Sequence, residues 1–316
     1  MEDAVTSPEM TLLPNGRDVP FADIEATLAR LARDGRRRKG GPARALTATV
    51  VVVGEHDRLI DAADALAHLS EAEGVRAILI SEGGETTPTA RVTEHAIGIA
   101  GLAPKFLNNA VAALRLSSLP TAVWFRGGAP ESLQEIAHLA DRLIIDVVDP
   151  SRAWSIVHSI VEQSAVTDLR WTRLTRWRSV IAHLFDLPEV RSVRVTRLSI
   201  AGPDPFAARL FAGWLRSALH WGKDVTIDLR PSDSADQRAP LDSVELDADG
   251  HHVSIKRRAT RGCLRADIAG RDASTRVVPL GEGTLTAVIG EELGVRTRDL
   301  AFERALAAAL EIPAWQ

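Results

Sequence analysis

The chain has 316 residues, 45% hydrophobic and 25% charged, an ordinary balance for a globular protein and too long for one ordinary core. Lysine plus arginine number 38 against 42 aspartate plus glutamate, a net charge of −4, so the whole chain has no drive toward nucleic acid or an anionic membrane. One cysteine, Cys263, excludes an internal disulfide and a multi-cysteine metal site.

In chain order, residues 1–20 carry Ser, Pro, Asn and Gly and read as a flexible tail. The opening MEDAVTSPEM lacks the apolar core of a signal peptide. No apolar run reaches membrane-spanning length, so a cytoplasmic setting is expected. Phe21, Ile24, Leu28 and Leu31 share one helical face, which predicts a helix to Arg33. The basic run Arg33–Arg44 has no aromatic and reads as a solvated linker, with a phosphate-binding arm as the functional alternative.

From Ala45 the pattern alternates. Strands are expected at Leu46–Gly54, Val75–Ser81, Arg91–Ile99, Leu119–Phe125 and Leu143–Val148. Helices are expected at Asp57–Ala72, Pro104–Leu116 and Pro130–Ala140. Strand and helix in repetition imply a mostly parallel sheet with helices on both faces. Asp149-Pro150 marks the expected junction between an N-terminal α/β domain, 45–150, and a C-terminal domain, 151–316.

Past the junction, helices are expected at 152–164 and 168–186, a strand at Val193–Ile200, a helix at Pro205–His220 and a strand at Val225–Leu229. Four short alternating segments follow, Ser243–Leu246, His251–Arg257, Cys263–Ile268 and Thr275–Leu280. The sequence DADG at Asp247–Gly250 is a hairpin turn signal. Two helices, 284–293 and 299–310, end the chain. The second domain therefore reads as mixed α/β, an antiparallel meander joined to a βαβ unit.

Chemical motifs are missing. Val53-Gly54-Glu55-His56-Asp57 has one glycine and two acids where a nucleotide site needs a glycine-rich turn. His251 and His252 are adjacent on a strand and point to opposite faces, so they cannot share a metal. No nucleophile elbow or two-His zinc motif occurs. No cofactor, no metal ligand and no catalytic residue is expected, and Cys263 reads as a small buried hydrophobe.

Two stretches remain. Trp124-Phe125-Arg126-Gly127-Gly128 lies at the carboxyl end of a parallel strand, where such sheets bind ligands. Here Arg126 can grip phosphate, or the stretch can simply be core and turn. The second is DLRWTRLTRWRSVIAHLF, Asp168–Phe185. Trp171, Leu174, Trp177, Ile181 and Leu184 form an apolar stripe flanked by arginines, and Asp168 is placed to cap the helix. It can be a core helix with a solvated rim, or a recognition surface anchored by Trp and Arg.

With these stretches together, the chain resembles the OpcA family, from about Arg44 to Ala307. The resemblance rests on ARALTATVVVVG, VRAILIS, LPTAVWFRGGAP, ADRLIIDVVD and AGWLRSALHW, and most specifically on DLRWTRLTRWR. It implies a non-catalytic α/β protein that binds glucose-6-phosphate dehydrogenase, promotes its active oligomer and so feeds NADPH production in the oxidative pentose phosphate pathway. Redox control through cysteines, thought to occur in some relatives, would have only Cys263 to work with. The motif stretches fall on Trp124, Arg126, Gly127, Trp171, Arg173, Trp177 and Arg178. Their chemistry nominates these seven as partner- or effector-binding positions.

Overall fold

The computed structural model describes residues 12–39, 45–83, 88–162, 164–187, 194–232, 236, 239–258, 262–269, 274–281, 283–295 and 297–313. The chain divides into two compact units, Met1–Thr167 with Ile289–Arg298, and Asp168–Val288 with Asp299–Gln316. No helix among the described residues is long and apolar enough to cross a membrane.

The first unit is built on an eight-stranded sheet. Its strands are β1 (Arg17–Val19), β2 (Ala48–Gly54), β3 (Val75–Glu82), β4 (Thr89–Val92), β5 (Ala96–Leu102), β6 (Thr121–Phe125), β7 (Arg142–Ile145) and β8 (Ala165–Asp168). They lie in the order β1-β4-β5-β3-β2-β6-β7-β8. The β-branched run Val50–Val53 forms the middle of β2 and is fully buried, as a strand covered on both faces must be. β2 pairs in parallel with both β3 and β6. Around it wrap α1 (Ile24–Lys39), α2 (His56–Glu73), α3 (Leu107–Leu114), α4 (Pro130–Ala137) and α5 (Ser151–Ile160). The chain winds outward from β2 first toward β5, then from β6 toward β8. Right-handed crossovers in opposite directions lie on opposite faces, so a crevice opens where the direction reverses, between β2 and β6.

Four expectations change here. The tail is not free throughout: Leu12 and Leu13 are buried, and β1 pairs antiparallel with β4. Helix α1 runs on to Lys39 through the start of the basic run, because Arg and Lys are good helix formers and Gly35 only weakens a helix; 40–44 lie outside the described residues. The strand expected at Arg91–Ile99 is a hairpin, β4 and β5, closed where Ala96 N donates to Thr93 Oγ1 at 3.0 Å. The helix expected at 152–164 ends at Ile160, and Ala165–Asp168 is a strand that the helical periodicity on either side concealed. Because α5 packs on α4 and β8 joins the sheet, the first unit extends beyond residue 150.

Glu292, in a helix spanning Leu285–Gly294, belongs to the first unit and is 4% exposed. Arg142 of β7, 6% exposed, pairs with it, its Nε donating to Glu292 Oε2 at 3.1 Å. Removing one member of a buried pair leaves an uncompensated charge. Glu292→Ala should therefore lower stability by about 3–5 kcal/mol in denaturant unfolding. The double change Arg142→Met, Glu292→Leu should recover most of that loss; failure to recover would mean the pair itself is not the origin of the cost.

The second unit begins with α6 (Leu169–Arg173) and α7 (Thr175–Phe185), the single expected helix broken at Leu174. A six-stranded sheet follows in the order β10-β9-β11-β12-β13-β14: β9 (Val195–Gly202), β10 (Thr226–Pro231), β11 (Ser243–Ala248), β12 (His251–Arg258), β13 (Cys263–Ala269) and β14 (Ser274–Pro279). β9 and β10 are parallel, joined through α8 (Pro205–Ala218), and the remaining pairs are antiparallel. The expected meander on a βαβ unit is thus the observed architecture. Gly250, at φ 76°, makes the β11–β12 turn, and Cys263 is buried in β13. The helix Leu285–Gly294, now α9, and α10 (Leu300–Leu310) end the described chain. α10 packs lengthwise on α8.

Candidate functional site

In the first unit, the crevice between β2 and β6 is a cleft of about 390 Å³. Its floor is set by Arg126, which follows β6 and is 5% exposed. Its Nε donates to Asp146 Oδ2 at 2.9 Å. Its two Nη atoms face the Asp61 carboxylate, Nη2 to Oδ2 at 3.3 Å, and Nη1 also donates to the Arg58 carbonyl. The guanidinium lies 4.7 Å from the Trp124 ring centroid. Arg58 in turn donates to the Asp146 carbonyl at 2.7 Å. Both edges of the Arg126 fork are therefore occupied by protein carboxylates. The bidentate grip on phosphate, one of the two readings the sequence left for Arg126, would compete with these carboxylates, since a buried arginine must first satisfy its own charge.

Gly127 and Gly128 have φ of 148° and 114°, conformations an L side chain rarely adopts. A Cβ on Gly128 would also meet Glu82 Oε2 at 2.5 Å. The glycine pair turns the chain away from β6; the Glu82 carboxylate fills the space beside Gly128, and Gly127 is left open toward Glu55.

In the second unit, the DLRWTR segment gathers three helix starts. Asp168 Oδ1 accepts from Arg170 N at 2.8 Å and caps α6. Asp204 Oδ1 caps α8, and its Oδ2 accepts from Arg170 Nε at 2.8 Å. Asp299 Oδ1 caps α10, and its Oδ2 accepts from Trp171 Nε1 at 2.7 Å. Each aspartate places negative charge where backbone N–H groups are unsatisfied, and residues 170 and 171 fix two of these caps in place. Trp171 also packs edge-on against Phe302, centroids 5.8 Å apart. Arg178 folds back over the Trp171 ring at 3.5 Å and donates to the Trp171 carbonyl at 3.3 Å.

The seven nominated positions thus form two groups, one in each unit. Trp124 and Trp177 are fully buried and Trp171 is 2% exposed, so their indoles hold surfaces in place and a partner would not meet them. Arg173 and Arg178 are half-buried, and of these only Arg178 is tied to Trp171. Reading along the chain missed Asp61, Asp146, Asp204 and Asp299. Asp204-Pro205 and Asp299 do carry a local cap signal, but their pairing with Arg170 and Trp171 spans 34 and 128 residues.

Comparison with known proteins bears on both units. The family model for the C-terminal domain of a glucose-6-phosphate dehydrogenase subunit matches residues 164–306, which contain the three-cap cluster. A putative OxPP cycle protein OpcA of Synechococcus elongatus is 26% identical over 240 residues, covering 62% of this chain and 54% of that protein. Its namesake in Nostoc punctiforme is 24% identical over 247 residues, 64% of this chain and 53% of that protein. The one in Synechocystis is 29% identical over 127 residues, 36% of this chain and 26% of that protein. The chain spans about half the length of the first two and less of the third. Among solved structures, the super-repressor mutant of Gal80p from Saccharomyces cerevisiae aligns with a TM-score of 0.49 at 9% identity, over 78% of this chain and 83% of that one. The sequence matches are all to OpcA proteins and to this one subunit domain, and they support the resemblance to the OpcA family.

Proposed function

We propose that the chain is a non-catalytic accessory protein that binds glucose-6-phosphate dehydrogenase, favours its active oligomer and raises its activity in the oxidative pentose phosphate pathway. The observation that carries this reading is the match of residues 164–306 to a domain described as belonging to a subunit of that enzyme. Such a protein acts by binding one state of the enzyme better than another, and can shift the enzyme only by that difference. A coupling of about 1–3 kcal/mol changes substrate affinity about 5–150-fold.

The contact surface belongs, on this proposal, to the outer face of α6 and α7. Residues 169–185 contain four arginines and no acid. Arg170 is spent on Asp168 and Asp204, and Arg178 covers Trp171. Arg176 is exposed and Arg173, three residues before it, is half-buried, beside a buried stripe of Leu174, Trp177, Ile181 and Leu184. Trp124, Arg126 and Gly127 support an effector cleft in the first unit. The double reversal Arg173→Glu, Arg176→Glu should weaken activation of the dehydrogenase at least tenfold in the concentration required, because charges at an interface act strongly on association. Arg178→Ala should weaken it less and lower stability slightly. Full activation by the double variant would place the contact elsewhere.

A further inference from the structure

The cleft between β2 and β6 lies where doubly wound sheets bind ligands, and its volume of about 390 Å³ is in the range of small-molecule sites. What it could hold follows from its charges. Arg126, Asp61 and Asp146 satisfy one another, and Arg58 donates into the same cluster. Asp149 accepts the Ser151 N–H at 2.9 Å. Two charged side chains on the lining, Glu55 and Arg152, both exposed, make neither an ion pair nor a hydrogen bond among the described residues. They are of opposite sign.

A phosphate or other anion would gain Arg152 and face Glu55 and Asp149. A cation would gain Glu55 and Asp149 but face the guanidinium groups of Arg58 and Arg152. Gly127 and Gly128 add peptide N–H groups that have no hydrogen-bond partner among the described residues. Phe125, Leu133 and Val147 give the cleft an apolar wall. The groups left to bind are thus an acceptor without donors, a donor without acceptors, two N–H donors and an apolar surface. A hydroxyl group both donates and accepts, and a sugar ring has an apolar face.

We propose that this cleft binds an uncharged, polyhydroxylated small molecule, either a free sugar or the ribose of a nucleoside. Glu55 accepts from its hydroxyls, Arg152 donates to them, and Gly127 lets the ring approach the backbone. Arg126 is the positioning residue that fixes the turn, and does not touch the ligand.

The test is calorimetric titration of the purified full chain, without any partner protein, so that its outcome is separate from the proposed partnership. The probes are D-ribose, D-glucose and adenosine, each against its phosphorylated counterpart, with L-serine as a zwitterion. Saturable binding is expected from the sugars or from adenosine. Adenosine alone would assign a nucleoside, and a free sugar alone would assign a carbohydrate. The phosphorylated counterpart should bind about tenfold more weakly, the scale of one charged contact turned unfavourable. Arg152→Ala and Glu55→Ala, both at exposed positions, should each weaken binding about tenfold with unchanged melting temperature. The proposal is overturned if no neutral probe binds, if a phosphorylated probe or serine binds as tightly, or if both variants bind like the unaltered protein.

Discussion

Trp171→Ala should destabilise the second unit by about 3–5 kcal/mol, the range for truncating a buried tryptophan. Three losses coincide at this residue. Its ring packs against Phe302 of α10. Its Nε1 holds the Asp299 carboxylate that caps the same helix. Its face carries the Arg178 guanidinium, which would lose its platform. A hydrogen bond to a charged group is worth about 1.5–3 kcal/mol, so Trp171→Phe, which keeps the ring contact and the Oδ1 cap but loses the N–H to Oδ2, should cost roughly that much. Urea unfolding followed by far-UV circular dichroism measures both. If the alanine variant unfolds within about 0.5 kcal/mol of the unaltered chain, a margin typical of surface substitutions, the three-cap cluster does not organise the unit.

The second large effect is expected at Gly213, in the middle of α8. A Cβ there would lie 2.4 Å from the Ala305 carbonyl oxygen and 2.7 Å from the Ala309 backbone nitrogen, both on α10. Those neighbours are backbone atoms of a packed helix and cannot swing aside. Gly213→Ala should already force the two helices apart, and Gly213→Val should cost at least about 3 kcal/mol, the upper end of overpacking penalties. Helix propensity pulls the other way, since alanine is favoured over glycine by about 1 kcal/mol. The sign of the alanine effect therefore decides whether close approach outweighs propensity. Thermal unfolding of Gly213→Ala settles it: a melting temperature above that of the unaltered chain would contradict the packing described.

Much of the architecture could be read along the sequence because it is local. The β-branched run Val50–Val53 announces a doubly covered strand, and Asp249-Gly250 announces a hairpin turn. Asp168 before Leu169 announces a helix start. Three features could not be read this way. The four residues of β8 are too short for any periodicity to register. The hairpin of β4 and β5 turns on one threonine hydroxyl within an apparently continuous strand. The break at Leu174 interrupts an apolar stripe that keeps its helical spacing across it.

The sites were less legible than the fold, for a physical reason. Arg126 and Trp171 can be picked out as unusual, yet what each does depends on carboxylates 65, 20 and 128 residues away. An arginine at a strand end looks available for phosphate until Asp61 and Asp146 are seen to hold it. A tryptophan in an arginine-rich helix looks like an interface anchor until its N–H is seen to hold a helix cap. In both places the residue types that suggest recognition also tie the scaffold together, and the surfaces proposed for ligands are their neighbours, Arg152 and Glu55 in one unit and Arg173 and Arg176 in the other.

Partnership with glucose-6-phosphate dehydrogenase is tested most directly by light scattering on size-separated mixtures of this chain with its cognate enzyme, with KM measured on the same samples. A joint peak heavier than the enzyme alone, with a lower KM in that peak, is the predicted result. Separate elution at micromolar concentrations, with mass and KM of the enzyme unchanged, would contradict it.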